Sequence, residues 1–393
     1  NDGNGEDSGH VRIYQNVNNT WTQVGSDIDG EAADDQSGIS VDLSSDGSII
    51  AIGALYNDGN GSDSGHVRIY QNVNGTWTKV DADIDGEAAG DQSGNSVSLS
   101  ADGSVVAIGA PNNDGNGADS GHVRVYHLDL SKYQIGTDIN GETEYDQSGY
   151  SVNLSADGSV VAIGARTNDG NGTNSGHVRI YRNNQGAWQQ IGSDIDGEAA
   201  GDYSGHAVSL SADGSVISIG AIYNDGPGTD RGHVRIYKNV NEKWEQIGND
   251  IDGEYNKDYS GISTSLSSDG SIIAIGANGN EPENRGHVRI YQYANSTWSQ
   301  LGVDIDGEAG WDNFGRSVSL SSDGSMVAIG AHGNNGNGED IGHVRIYQNV
   351  NNTWTQVGSD IDGEASFDNS GYSVSLSADG SFVAIGAYNN DGN

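Results

Sequence analysis

Apolar residues in this chain come in short runs, either alternating with polar residues or continuous for five or six positions. Clusters rich in Gly, Asn and Asp separate them. No stretch has the three-to-four spacing of an amphipathic helix, so the pattern predicts strands and turns throughout. The most regular run is Gly9-His10-Val11-Arg12-Ile13-Tyr14. It returns as GHVRIY at Gly65, Gly176, Gly232, Gly286 and Gly342 and as GHVRVY at Gly121, in steps of 56, 56, 55, 56, 54 and 56 residues. Seven copies fill the chain, and a fixed period of this size signals a solenoid, a propeller or an array.

Within one repeat, GHVRIY is followed by a polar turn over residues 15–19 and by Thr20-Trp21-Thr22-Gln23-Val24-Gly25, which alternates as a half-exposed strand. An acidic connection, Asp27 to Asp35, leads to a second alternating strand, Ser37 to Ser44. Ser45-Asp46-Gly47-Ser48 is a tight hairpin turn, because Asp-Gly between apolar runs favours one. The run Ile49-Ile50-Ala51-Ile52-Gly53-Ala54 is apolar on both faces, as a strand buried between layers should be. The loop Asn57-Asp58-Gly59-Asn60-Gly61 then returns to the next GHVRIY.

Four strands per unit and seven units predict an all-β fold, a seven-bladed β-propeller with four antiparallel strands per blade. A parallel β-helix would need shorter coils. A string of separate domains would need a self-sufficient core in each unit of about 56 residues, marginal at 33% hydrophobic content. Blades beginning at the SVxL strand span 37–92, 93–147, 148–203, 204–259, 260–313 and 314–369. The seventh combines 370–393 with 1–36, so the ring closes by pairing two strands from each end of the chain and hides its sheet edges.

Composition narrows the function classes. With 56 acidic against 17 basic residues the net charge is −39, and seven of the twelve arginines sit in the repeated HVR unit. Nucleic-acid binding is disfavoured, since phosphate contacts need stripes of Lys and Arg. Anionic membrane surfaces are disfavoured too, and no run is long and apolar enough for membrane insertion. Such a field favours cations. The absence of Cys removes disulfides and thiolate metal sites. The chain starts at Asn1 without Met and shows no signal peptide, so it is expected to be a processed or excised part of something longer.

The succession Asp-x-Ser-Gly-x-Ser-Val, Asp-Gly, Ile-Gly-Ala, Gly-His-Val-Arg-Ile-Tyr and a following Trp resembles the FG-GAP repeat family of integrin-α-like β-propellers. Phe314-Gly315 and Gly109-Ala110-Pro111 match its Phe-Gly and Gly-Ala-Pro literally, while Ser37, Ser93 and Ser148 stand where that Phe would be. The resemblance covers the whole chain. It implies an extracellular or cell-surface propeller for adhesion or ligand binding, often with calcium. In integrin-like blades the calcium loop is a DxDxDG hairpin between the first two strands. Here that turn is only Ser45 to Ser48 and its equivalents, so that site is not carried over.

The acidic connection DIDGE is the leading metal candidate. It supplies Asp27, Asp29 and Glu31; Asp83, Asp85 and Glu87; Asp194, Asp196 and Glu198; Asp250, Asp252 and Glu254; Asp304, Asp306 and Glu308; and Asp360, Asp362 and Glu364. The third repeat has Asn140 in the middle. A further acid follows at Asp35, Asp91, Asp146, Asp202, Asp258, Asp312 and Asp368. Calcium takes six to eight oxygens, which such spacing beside a Gly turn can supply. The competing reading is a solvated turn whose last Asp caps backbone amides. The NDGNGxDS loop (Asp2, Asn4, Asp7; Asp58, Asn60, Asp63; Asp114, Asn116, Asp119) is similar in its GNGxD core to a calcium-binding repeat, without that repeat's tandem copies. Its sixth copy, Asn278 to Asn284, is shorter and contains Pro282. Both loops should lie at one end of the strands.

His10, Arg12 and Tyr14 share one side of their strand. The spacing is poor for zinc, and Arg12 and its equivalents are expected to pair with a repeat carboxylate. The outer strand carries Trp21, Trp77, Tyr133, Trp188, Trp244, Trp298 and Trp354, either as blade-to-blade packing or as platforms for sugar rings, which some lectins resembling this propeller bind between blades. Trp311 stands apart, on one acidic connection, as an exposed ligand contact or a local loop anchor. Sequons at Asn18, Asn60, Asn74, Asn153, Asn171, Asn295 and Asn351 matter only where glycosylation machinery is present. Catalysis finds no support, because nearly every polar residue has copies in the other repeats and an active site needs a unique constellation. A residue cluster in a central channel without repeat-mates would revive it. Two functions remain: a calcium-associated binding module for a cell-surface glycan or protein, lectin-like, or a structural unit of a surface layer or filament whose partner is another copy of itself.

Overall fold

The computed structural model describes residues 5–128, 132–226, 228–279, 284–336 and 338–391. Asp2, Asn4 and Pro282 lie outside the described residues. Seven antiparallel sheets form the predicted ring. In the blade that begins at Ser37 the strands run Ser40–Leu43, Ile49–Ala54, His66–Val73 and Thr76–Lys79 from the centre outward. The closing sheet orders Ser373–Leu376, Phe382–Ala387, His10–Val17 and Thr20–Gln23, with His10 opposite Ala387 and Gln15 opposite Phe382.

One detail departs from the sequence reading. The acidic connection is partly strand: Ile84–Asp85 pairs with His66 and Val67, and every blade repeats this. The outer strand is therefore broken into two pieces. The cause is the alternation Asp-Ile-Asp, which turns Ile84 inward to 4% exposure and leaves Asp85 in solvent.

The core lies between blades rather than inside them. One apolar cluster joins Val178, Ile180 and Ile195 of one blade to Val208, Leu210 and Ile219 of the next, with Trp244 packed against it. Six further clusters repeat the arrangement around the ring. This is the physical form of the expectation that no repeat buries its own core.

Polar links tie the innermost strands together. The hydroxyl of Ser40 donates to Gly94 O at 2.7 Å, and Ser373 closes the circle on Gly38 O at 2.7 Å. Deeper, side chains of the x position in SVxL accept from the next blade's Leu amide, for example Asp42 from Leu99 and Asn153 from Leu210, both at 2.7 Å. The Ser-Asp-Gly-Ser turns join blade to blade as well, Ser45 N donating to Ala101 O and Ala378 N to Ser45 O. Their Asp46-type carboxylates are spent within the turn, on the Ser44 and Ser48 hydroxyls at 2.8 and 2.7 Å.

The acidic connection and the NDGNG loop both sit at the end where Ala54 pairs with His66, opposite the Ser-Asp-Gly-Ser turns. One face thus carries both candidate loops. Gly65 shows how tightly this face is built: its φ is +70°, and a Cβ there would stand 2.2 Å from Ser93 O.

Candidate functional site

Three places on the acidic face gather functional side chains. The first is the junction between neighbouring blades. Arg68 reaches into the preceding blade, donating to Asp29 O at 2.8 Å and standing 3.9 Å from Glu31. Arg12 does the same with Asp362 O and Glu364, Arg124 with Asp85 O and Glu87, Arg235 with Asp196 O and Glu198, and Arg289 with Asp252 O and Glu254. Arg345 pairs with Glu308 and, at 3.0 Å, with Asp360. The repeated arginine therefore has the carboxylate partner expected of it, contributed by the blade before.

The four acids of one connection do not meet at a point. The first aspartate accepts from the side chain four residues earlier, as Asp194 from Gln190, Asp250 from Gln246 and Asp304 from Gln300. In one blade Lys79 replaces that Gln beside Asp83. The second, at positions 29, 85, 196, 252, 306 and 362, is exposed except for its backbone carbonyl. The last is buried and caps its own loop: Asp91 accepts from the Glu87 and Ala88 amides and from Asn113, and Asp258 and Asp368 cap likewise. Asp35, Asp146, Asp202 and Asp312 do the same.

What the ring does bring together is the first Asp of one blade, the Glu of the blade before, and the His of GHVRIY. Glu142, His177 and Asp194 have ligand atoms within 4.8 Å of one another, as do Glu198, His233 and Asp250; Glu31, His66 and Asp83; Glu87, His122 and Asp138; and His10, Asp27 and Glu364. Each His is buried, and burial followed by the adjacent arginine lowers its pKa, to about 4 for His10, His122 and His287. The imidazoles are neutral at pH 7, the form that ligates metal. Oxygen-rich, with one imidazole and an arginine on the far Glu oxygen, this set suits a weakly held divalent cation better than a zinc ion.

The second place is the groove beside each outer-strand indole. Trp21, Trp77, Trp188, Trp244, Trp298 and Trp354 each donate the ring N–H to a carbonyl of the preceding blade, at 2.8–2.9 Å. The rings thus serve blade packing. Two also wall grooves: Trp244 with Asp194, Asp196 and Tyr237 (about 280 Å³), and Trp298 with Asp250, Asp252 and Tyr291 (about 410 Å³).

The third place is the mouth of the central channel, a cavity of about 650 Å³ open at the same face. The residue after Ser-Gly or Phe-Gly points here and differs around the ring: Ile39, Asn95, Tyr150, His206, Ile262, Arg316 and Tyr372 all line it. Arg166 and Tyr388, each following Ile-Gly-Ala, join them.

Residues 83–126 and 303–347 match the model of the FG-GAP repeat. At these two places the chain carries FG-GAP repeats. Each matched stretch runs from the acidic connection of one blade to the GHVRIY strand of the next, which fits a seven-bladed FG-GAP propeller. No curated protein matches the sequence. Among solved structures, a putative 6-phosphogluconolactonase from Bacteroides uniformis ATCC 8492 is similar, with a TM-score of 0.58 and 11% identity over 91% of this chain and 97% of that one. At that identity the likeness is one of fold.

Sequence reasoning on the repeats missed the channel mouth, and a signal was available. The seven copies keep the flanking Gly throughout and the flanking Ser and Val in all but one copy each (Phe314, Thr264), yet disagree at the two positions that face the channel. Reading repeats for what they share hid positions that are not shared. Trp311 proves to have counterparts: it, Tyr145 and Phe367 occupy the same position of the acidic connection, 62%, 60% and 53% exposed, all with left-handed backbone (φ 70°, 67° and 71°).

Proposed function

We propose that this FG-GAP propeller is an extracellular or cell-surface binding module, adhesive and lectin-like, that holds calcium at its blade junctions and engages glycan or protein at several of them at once. The observation that carries this reading is the double position of Asp194 and Asp250. Each lies in a His-Asp-Glu cluster with the blade before and lines a Trp groove with the blade after. A cation held there would stand beside an aromatic wall, an arrangement suited to vicinal hydroxyls on a sugar ring. Near-identical blades would give multivalent binding, where avidity supplies the strength that each shallow groove lacks.

Thermal unfolding in calcium, in magnesium and after chelation, at fixed ionic strength, tests the cation. A rise of several degrees specific to calcium is expected, since only the folded state gathers the ligands. The double variant Asp194→Asn, Glu142→Gln should reduce that rise, and Trp244→Ala should weaken glycan binding measured in calcium. Equal responses to both cations would mean charge screening of an acidic surface. The reading left would then be a self-associating unit of a surface layer or filament.

A further inference from the structure

We propose that the mouth of the central channel binds an acidic saccharide, with Arg166 and Arg316 holding its carboxylate. This goes beyond the junction reading and does not depend on it. In a chain of net charge −39, the cavity is lined by two arginines and, among the described residues, by no aspartate or glutamate. The seven GHVRIY arginines each have a carboxylate or a blade-junction carbonyl, whereas these two have neutral neighbours. Arg316 donates to the Tyr372 hydroxyl and lies 4.1 Å from the centre of that ring. Arg166 donates from Nε to Gln147 at 3.0 Å and lies 3.5 Å from the centre of the Tyr150 ring. A guanidinium offers five N–H donors, so each keeps several for a ligand, and a half-buried cation without a counter-charge favours an anion. The planar fork suits a carboxylate.

The rest of the lining is amide, hydroxyl and aromatic. Gln36, Gln92, Asn95 and Asn112 share the cavity with the tyrosines. Such groups recognise a polyhydroxylated ring, and the volume of about 650 Å³ falls in the ordinary range for small-ligand sites. The His206 ring lies 5.0 Å from that of Tyr150, tilted by 48°, and its buried Nδ1 has no hydrogen-bond partner among the described residues.

The rim points the same way. Tyr145, Trp311 and Phe367 hold their exposed rings on left-handed backbone, where two other repeats place Gly90 and Gly201. The remaining two repeats place Asp34 and Lys257 there, with φ of 65° and 60°, so the loop itself sets this conformation and three repeats use it to present a ring. Thr167, next to Arg166, donates to Tyr145 O at 2.7 Å, and Gly333 lies against Trp311 O beside His332, whose ring meets that of the cavity-lining Tyr372 at 5.4 Å. A saccharide whose terminal acid sat in the channel would leave it across these rings.

The test uses glucuronate and glucose, which differ at the carboxylate, with inorganic phosphate as a third probe. Binding is followed by ligand-observed NMR titration in a chelator, so that calcium-dependent junctions contribute nothing. Saturable glucuronate binding is expected, with glucose at least tenfold weaker. Arg166→Gln and Arg316→Gln should each weaken glucuronate at least tenfold while leaving the unliganded Tm unchanged or higher. Should Arg316→Gln fail to fold, Arg166→Gln decides. Equal binding of the two sugars, binding of neither, phosphate binding without glucuronate, or a variant that loses Tm but not affinity would each overturn the proposal.

Discussion

At the scale of single residues, Asp42 is the exception in a ring of otherwise neutral side chains. Its repeat-mates are Ser or Asn, and all of them accept a backbone N–H from the next blade. Burial raises the Asp42 pKa to about 6, against the lowering effect of its bonds to Leu99, Ser375 and Leu43. A carboxyl raised on folding is harmless below the unfolded value of 3.8 and costs stability increasingly as pH rises through 6. Asp42→Asn, which copies the side chain found at Asn153, should therefore raise the Tm at pH 7, by on the order of 1–2 kcal/mol of stability, and have little effect at pH 4. The histidines act in the opposite direction. His10, His122 and His287 fall to about 4 on folding. For a base so depressed, stability is whole above the unfolded value of 6.5 and is lost as pH falls toward 4. Each should cost roughly 1–2 kcal/mol at pH 5. Urea midpoints from pH 7 to pH 5 should fall, and His122→Gln should flatten the curve; a flat wild-type curve would show that these imidazoles are solvated.

At the scale of elements, the outer strand does two jobs that its alternation alone does not separate. The indole of Trp188 faces the preceding blade, bonds Ile135 O at 2.8 Å and covers Gly136, where a Cβ would meet its Cδ1 at 3.1 Å. Trp188→Phe removes the hydrogen bond and a small part of the ring and should cost on the order of 1–2 kcal/mol. Trp188→Ala removes the packing too and should cost about 3 kcal/mol. Denaturant midpoints check both values, and near-equal losses would mean that the ring contributes little beyond its N–H. The acidic connection is likewise part sheet and part loop. Its Ile is fixed by the sheet, its last Asp by the loop it caps, and only its first Asp and its Glu remain available at the junction.

At the scale of the whole molecule, closure depends on the two chain ends. Gly9 N donates to Asn390 O at 3.0 Å, and Asp7 N to the Asp391 carboxylate at 2.9 Å, as Asp63 N does to Asp58 within a continuous loop. The sequence from Asn390 to Asn393 matches the first half of that loop and Gly5 onward matches the second. Joining Asn393 to Gly5 should restore an ordinary NDGNG loop and raise the Tm by several degrees, because the unfolded chain loses closure entropy. A Tm at or below that of the open chain would show that the joined loop is strained.

Much of this was legible in the sequence because repetition amplifies a weak signal sevenfold. The strand order, the blade count, the closing pairing and the shared face of the two acidic loops follow from apolar spacing and Gly placement, which are local in origin. The partner of Arg12 was legible only as a type, a carboxylate. That it is Glu364, across the ring closure, required the tertiary structure, because blade-to-blade contacts join residues far apart in the chain. The same holds for the separation of the four acids in each connection, since pairing with the next strand sends neighbours such as Asp29 and Glu31 in different directions. The channel mouth is the clearest case. Tyr150, His206, Arg316 and Tyr372 lie on four blades, far apart in the chain, and only closing the ring sets them around one cavity.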